Sequence, residues 1–254
     1  MLYTPDTRII EPKMNMSRYN HPWVQFTNRR RRVSAAEESP YYPVGADCVL
    51  YHAYWDGTAT DHSLYGHDGT VAGPSFGEYG LTFDGIDDYV WATPTSVLQP
   101  GTHDIAMYAW IYLEYTTTAS GAIMGMEIPA SSYRYYVALL NSGTAPAAMR
   151  YKFVGDTYYN AAWGSFPRYT WIFAGWEVDR DVGGYGYNSE VRSDAVGTTD
   201  AGDYTDGTKF NIGCILPTLY HLWGKIGEVY AFNPIPSSAS VTAIYNATKL
   251  RYGL

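Results

Sequence analysis

The 254-residue chain is long enough for one large β domain, or for one domain with an appendage. With 26 tyrosines, 25 glycines and 14 prolines, it suits pleated strands joined by tight turns, and this composition excludes a mostly helical bundle. A net charge of −8 disfavours broad nucleic-acid binding, and no apolar run reaches the length of about 18 residues that a membrane-spanning helix needs.

Residues 1–45 differ from the remainder in charge and in pattern. They hold seven basic and four acidic residues, a net charge of +3, whereas residues 46–254 hold ten basic and 21 acidic residues, a net charge of −11. Prolines recur and no hydrophobic periodicity is sustained, so the segment has little means of burying itself alone. We therefore interpret it as an extended N-terminal assembly arm, without a visible secretory signal, that docks on the acidic surface of a neighbouring copy. The expected contacts are the apolar anchors Trp23 and Phe26 and the charge run Arg29, Arg30, Arg31 and Arg32.

From residue 46 onward, short alternating segments bounded by glycine, aspartate and asparagine predict a β-sandwich. Both alternate sets of Ile105–Ile111 are apolar or aromatic, which predicts a central strand covered on both faces. After Pro236, Ser237-Ser238 is suited to cap one short helix that covers an end of the sheet, with Val241, Ile244 and Tyr245 at helical spacing. The predicted strands are 49–55, 81–83, 89–92, 105–113, 122–126, 133–140, 149–154, 171–178, 185–191, 210–214 and 224–232. Cys48 and Cys214 match no metal spacing, and their apolar contexts favour two buried free thiols over a disulfide.

Several of these segments follow one another in a recognisable order. The hairpin Leu81–Val90 carries Asp-Gly-Ile-Asp-Asp at its turn, Asp104–Ile111 ends in Tyr-Ala-Trp-Ile, and Gly224–Tyr230 reads Gly-Lys-Ile-Gly-Glu-Val-Tyr. Together with Trp171–Gly175, they resemble laminin-G-like, concanavalin A-like jelly-roll domains. The resemblance implies an all-β, two-sheet antiparallel jelly-roll sandwich over residues 46–254, and the N-terminal arm has no counterpart in it. It implies less about function, because this fold serves glycan binding, protein adhesion and virion structure alike.

Two short patterns suggest catalysis. Glu177, Asp179 and Asp181 share one face of a strand, as the nucleophile and acid of jelly-roll glycanases do, but the second glutamate of that pattern is missing. Gly73–Gly77 fits the G-x-S-x-G nucleophile elbow as a string, but Pro74 and its surroundings prevent the helix that an elbow requires, so we interpret it as a loop. We therefore expect a non-enzymatic protein with no catalytic residue.

A metal site is the next candidate. His62 and His67, with Asp61 and Asp68, have the donors to bracket a metal ion, but their turn-rich context favours a solvated polar loop over zinc. Calcium differs, because members of the resembled family often hold it in rim loops through aspartates and carbonyls. The aspartates in suitable loops are Asp61, Asp84, Asp87, Asp88, Asp200, Asp203 and Asp206. They form no closed ligand set, so no cofactor is required and calcium stays an optional, unassigned ion.

Aromatic residues between the strands are candidates for glycan contact. Tyr158, Tyr159 and Trp163, together with Tyr185 and Tyr187, fall in turn-rich stretches, where exposed rings can stack on sugars. The alternative is that these residues fill a tyrosine-rich core and its rims.

The arm and the adhesion-type fold together favour a structural or attachment protein of a virion, such as a phage capsid-decoration, minor-capsid or tail-associated protein. The expected partners are neighbouring copies, other virion proteins and host surface glycans, with neither a membrane nor nucleic acid among them. The alternatives are a free, extracellular carbohydrate-binding module and, less favoured, a glycoside hydrolase of the jelly-roll type.

Overall fold

The computed structural model describes residues 44–114, 121–129, 132–140, 148–153, 166–194 and 205–254, of which 132–140 and 148–153 are described by their backbone. All of them belong to the second of two units, Tyr41–Leu254. The predicted arm contacts Trp23, Phe26 and Arg29 to Arg32 lie outside the described residues, so the arm and its boundary at residue 45 stay predictions. Among the helices of the described part, none is long and apolar enough to cross a membrane.

Strands dominate the described residues, and one α-helix follows the last of them. The strands are β1 (Cys48–Ala53), β2 (Gly69–Ala72), β3 (Ser75–Gly77), β4 (Gly80–Asp84), β5 (Tyr89–Ala92), β6 (Ile105–Leu113), β7 (Gly121–Ile128), β8 (Ser132–Leu140), β9 (Ala148–Phe153), β10 (Trp171–Asp179), β11 (Gly183–Asn188), β12 (Val191–Arg192), β13 (Lys209–Ile212) and β14 (Trp223–Phe232). The helix is α1 (Ser238–Thr248), and the 3₁₀-helices are Tyr54–Asp56 and Lys249–Tyr252.

The strands form two antiparallel sheets that pack as a sandwich. The eight-stranded sheet has the order β12-β11-β10-β6-β14-β4-β3, with β1 also paired to β14, and the six-stranded sheet has the order β2-β5-β13-β7-β8-β9. Each sheet thus draws its strands from distant parts of the sequence. The predicted all-β, two-sheet antiparallel sandwich with a short C-terminal helix is confirmed, and it is consistent with a jelly roll.

Strand alternation explains how β6 holds the centre of the eight-stranded sheet. Met107, Ala109 and Ile111 point into the core between the two sheets. Tyr108 and Trp110 point the other way, into a second buried cluster on the outer face of the sheet. Because successive side chains of a strand alternate between faces, one segment supplies both layers. The prediction of a strand covered on both faces is confirmed.

The second cluster is closed by α1. Ser237 caps the helix, since its hydroxyl accepts a hydrogen bond from the amide of Ser240 at 3.1 Å. Val241 and Ile244 are buried against the sheet, as the helical spacing predicts. Trp110 donates from Nε1 to the Thr248 hydroxyl at 2.8 Å, which fixes the C-terminal turn of α1 over β6.

Differences from the predicted elements are confined to short segments. β2, β3 and β12 were not predicted, and the interpretation of Gly73–Gly77 as a loop was wrong in part, because Ser75–Gly77 forms β3. β1 ends at Ala53, where the chain turns through a 3₁₀-helix to Gly57, whose φ of 82° is in the left-handed region. Cys48 and Cys214 are buried free thiols, as predicted. Burial raises the pKa of Cys214 to about 12.

Candidate functional site

The outer face of the eight-stranded sheet is covered by α1 at one end and accessible at the other. Five cross-strand neighbours at the accessible end are exposed or half-buried, and we call them the open row. They are Ser75 of β3, Thr82 of β4, Lys225 of β14, Tyr112 of β6 and Trp171 of β10. Since neighbouring strands lie about 4.8 Å apart, the row is about 19 Å long.

Pairing register and one glycine position the open row. Residues that lie directly opposite one another in antiparallel strands point to the same face, so each member continues from its neighbour. Gly224 precedes Lys225 with a φ of 153°, and a Cβ atom there would lie 2.2 Å from the carbonyl oxygen of Tyr112. Glycine therefore permits the close approach of β14 to β6 beside the row.

Three further side chains lie beside the open row, each two residues along the chain from one of its members, and we call them the flank. They are Trp223, Asp84 and Glu114. Trp223 is paired with Asp84, and the backbone amide of Glu114 donates to the carbonyl oxygen of Trp223. Trp223 is 47% exposed, which is unusual for so large an apolar side chain. The open row and this flank together present rings, hydroxyls and charges on one surface.

The aromatic side of this surface is braced by the C-terminal segment. The ring centroids of Tyr112 and Trp171 are 5.5 Å apart. Trp171 in turn contacts Tyr252 at 4.7 Å, and Tyr252 is buried. The half-buried rings are therefore held in place by packing and do not have to be ordered when a ligand binds.

The polar side of this surface carries one ion pair and several uncommitted groups. Lys225 Nζ lies 2.9 Å from Glu114 Oε1 and 5.1 Å from the centre of the Tyr112 ring. Within the described part of the chain, the hydroxyls of Ser75, Thr82 and Tyr112 make no hydrogen bond. Hydroxyls beside exposed rings match the two needs of a sugar, whose C–H face stacks on aromatic rings and whose hydroxyls need hydrogen-bond partners.

The sequence identified different residues as glycan contacts. Tyr158, Tyr159 and Trp163 lie outside the described residues, so the prediction is not tested for them. Tyr185 and Tyr187 lie in β11, where Tyr185 is half-buried and Tyr187 is buried. The open row was missed because its members come from five separate strands. The available signal was the alternation of aromatics in β6, which places Tyr112 on the same face as Tyr108 and Trp110.

Glu177 occupies a different position from the one that the glycanase pattern suggests. It shares a face with Asp179 in β10, but its side chain is buried. The Tyr108 hydroxyl donates to Glu177 Oε1 at 2.5 Å, and Arg192 donates to Oε2 from Nε at 2.8 Å. Arg192 also lies over the Tyr185 ring, with its guanidinium carbon 3.5 Å from the ring centre. This carboxylate is therefore enclosed in an ion pair that ties β12 to β10.

The histidine and aspartate loop is solvated in part, as expected: Leu64, Tyr65 and Asp68 are exposed, whereas Asp61 and His67 are buried. His67 has Nδ1 2.8 Å from the carbonyl oxygen of Val49, and Nε2 2.8 Å from the Thr95 hydroxyl. Asp61 accepts from the amides of Tyr51 and His67 at 2.9 and 2.7 Å. Burial acts to raise the pKa of Asp61, but the hydrogen bonds outweigh it and the pKa is lowered. These side chains join the loop to β1, and their donors and acceptors are already engaged.

Three of the aspartates considered for calcium meet in the turn between β4 and β5. Carboxylate oxygens of Asp84, Asp87 and Asp88 lie within 4.8 Å of one another. Asp84 Oδ1 accepts from the amide of Ile86 at 2.8 Å, and Asp88 Oδ2 accepts from the amide of Asp84 at 2.9 Å. Burial, followed by the charges of the two neighbouring carboxylates, raises the pKa of Asp88 against the hydrogen bond from Asp84. The cluster therefore shapes the turn, and calcium binding stays a prediction.

Comparison with known proteins finds similarity in structure alone. No protein-family model matches the chain, and no curated protein does. Trypanosoma rangeli sialidase in complex with sialic acid matches with a TM-score of 0.62 and 13% identity, over 90% of this chain and 38% of the sialidase. Domain 4 of a GH43 extracellular arabinanase from Geobacillus stearothermophilus, in complex with arabinotriose, matches with a TM-score of 0.59 and 14% identity, over 79% of this chain and 98% of that domain. The ligand binding domain of botulinum neurotoxin serotype D, in complex with N-acetylneuraminic acid, matches with a TM-score of 0.64 and 10% identity, over 82% of this chain and 54% of that domain.

At these identities the similarity establishes the fold, which is the lectin-like β-sandwich expected from the sequence. The expectation of a non-enzymatic protein was wrong, because solved structures with this fold include sialidases and a domain of a GH43 arabinanase. The fold therefore gives no ground for separating this chain from glycoside hydrolases. No phage or virus protein is among these three neighbours. The chain spans 38% of the sialidase, so the activity of that whole enzyme does not transfer to it.

Proposed function

We propose that this domain binds carbohydrate at the open row and its flank. The observation that carries the proposal is the combination of exposed rings and uncommitted hydroxyls on one braced sheet surface. Tyr112, Trp171 and Trp223 provide the rings, and Ser75 and Thr82 extend the surface with hydroxyls. Support for carbohydrate binding as a class also comes from three neighbours of the same fold, two described in complex with the acidic sugars sialic acid and N-acetylneuraminic acid and one with the neutral arabinotriose.

The aromatic side of this surface would stack on the sugar rings, and the polar side would form hydrogen bonds with the sugar hydroxyls. The C–H faces of the sugar rings would stack on Tyr112, Trp171 and Trp223, and so remove apolar surface from water. The sugar hydroxyls would exchange hydrogen bonds with the hydroxyls of Ser75 and Thr82, and with the charged groups of the ion pair. The rings would supply most of the affinity, and the polar groups would set the orientation of the sugar.

Replacing the most exposed ring tests the proposal. Trp223→Ala should weaken binding by about 2 kcal/mol, roughly 30-fold, as expected for an aromatic anchor of a binding surface. Phe76→Ala is the matched control, because Phe76 is 40% exposed but alternates to the opposite face from Ser75. A glycan array would select the ligand, and isothermal titration calorimetry would measure both variants. Equal affinity of Trp223→Ala and the wild type would reject this surface as the site.

A second candidate function rests on the predicted arm. The +3 charge of residues 1–45 complements the −11 charge of the remainder, which supports assembly with neighbouring copies, and with it a structural or attachment role in a virion. Replacing Arg29 to Arg32 with serine should shift the purified protein toward smaller species in light scattering at low salt. Unchanged assembly in that variant would remove the role of the arm.

A further inference from the structure

We infer that the open row takes an extended, neutral oligosaccharide and discriminates against acidic sugars, an inference that rests on the function proposed above. Two independent properties of the surface lead to it, the charges that surround the row and the length of the row itself.

The positive charge of the open row is already neutralised by a neighbouring carboxylate. Lys225 is the cation of the row, and its ammonium group lies 2.9 Å from the Glu114 carboxylate. Both side chains remain partly in water, at 36% and 28% exposure, so a ligand meets the pair and not a free cation. An acidic sugar would have to compete with Glu114 for Lys225, whereas a neutral hydroxyl can bond to either partner.

The flank adds further negative charge. Asp84 lies opposite Trp223, and its carboxylate is within 4.8 Å of those of Asp87 and Asp88. A sugar carboxylate stacked near Trp223 would therefore approach several like charges, and the cation of the row, Lys225, is already paired with Glu114. Like-charge contact costs binding free energy and slows association, and salt weakens both effects.

The length of the row selects a chain over a single sugar. The distance of about 19 Å from Ser75 to Trp171 is covered by four strand-to-strand steps. The rings stand at one end and the hydroxyls at the other, so a single sugar ring would reach one kind of partner. An oligosaccharide laid across the strands would engage both, and its affinity should rise with each added unit until the row is filled.

The experiment compares matched neutral and acidic chains on the complete protein. Linear oligosaccharides of galactose, glucose and arabinose, of increasing length, would be titrated beside oligogalacturonates in low-salt buffer. We expect affinity for the preferred neutral series to increase with length, and the acidic series to bind at least about tenfold more weakly. Raising the salt concentration should narrow that gap.

One variant separates the charge argument from binding itself. Glu114→Gln releases the Lys225 ammonium and removes a charged acceptor for neutral hydroxyls, so the affinity for oligogalacturonate relative to the neutral series should rise several-fold. Glu190→Gln is the matched control, since Glu190 pairs with Lys249 at 3.7 Å in another exposed ion pair. Equal binding of acidic and neutral chains, or an unaltered preference in Glu114→Gln, would overturn this inference and leave the proposed function standing. Failure of every oligosaccharide to bind the wild type would overturn both.

Discussion

The covered and the open end of the eight-stranded sheet carry similar aromatic residues but differ in how far these residues are buried. Both ends receive aromatic residues from the same face of β6, where Tyr108, Trp110 and Tyr112 alternate. Under α1, Trp110 Nε1 donates to Thr248 at 2.8 Å and Trp110 is fully buried. At the open end, Tyr112 is half-buried and its hydroxyl has no hydrogen bond within the described residues. Cover by a helix, and not aromatic composition, therefore separates core from candidate binding surface.

The ion pairs at the two ends follow the same division. Glu228 is fully buried under the C-terminal segment, where it is bound by Arg251 and accepts from Trp55 Nε1 at 2.7 Å. Burial raises the pKa of Glu228, and the charge of Arg251 acts against that rise. Glu114 and Lys225 form the corresponding pair at the open end, where both side chains are partly exposed. One pair stabilises the fold by compensating a buried charge, and the other remains available to a ligand.

The largest expected difference in stability is between removing the cation of the buried pair and removing the cation of the exposed pair. Arg251→Ala leaves Glu228 buried without its counter-charge, and should lower the free energy of unfolding by about 3–5 kcal/mol. Lys225→Ala removes a half-exposed partner and should cost about 1 kcal/mol or less. Urea unfolding of both variants at the same pH measures the difference. Losses of similar size would contradict the expectation that burial makes the Glu228–Arg251 pair more important for stability than the Glu114–Lys225 pair.

Two tryptophans provide the next test, with stability and binding as separate readouts. Trp171→Ala removes the contacts with Tyr112 and Tyr252, and should cost about 2 kcal/mol of stability, less than a full core truncation. Trp223→Ala should cost less than about 1 kcal/mol, because half of this side chain is already in water. Both variants should bind sugar more weakly when measured by calorimetry. If Trp223→Ala unfolds as easily as Trp171→Ala, its ring is a structural element and the contrast fails.

Local patterns in the sequence predict the elements that are long and strongly alternating. The bounds of β6, Ile105–Leu113, agree with the prediction because both faces are apolar or aromatic throughout. The helix cap falls at Ser237, the first of the two serines that precede the helical apolar spacing, because its hydroxyl accepts from the amide three residues on. β3 and β12 were not predicted, because strands of three and two residues are too short to show an alternating pattern.

The candidate site could not be predicted in the same way. Its members extend from Ser75 to Lys225, and they meet because strands far apart in sequence pair in a particular register. Register depends on the whole sheet, so no local window contains it. The sequence-based choice of exposed aromatics instead followed turn composition, which led to Tyr158, Tyr159 and Trp163.

The smallest expected effect concerns the helix that creates the contrast. Ser237→Ala removes the N-cap hydrogen bond from the Ser240 amide and should destabilise the protein by about 1 kcal/mol. Ser237→Gly should cost only about 0.3 kcal/mol. Urea unfolding separates the two variants. Sugar affinity should not change in either one, because α1 lies over the covered end of the sheet. A loss of affinity with unchanged stability would mean that the covered end takes part in binding, and that the helix does more than seal an aromatic cluster.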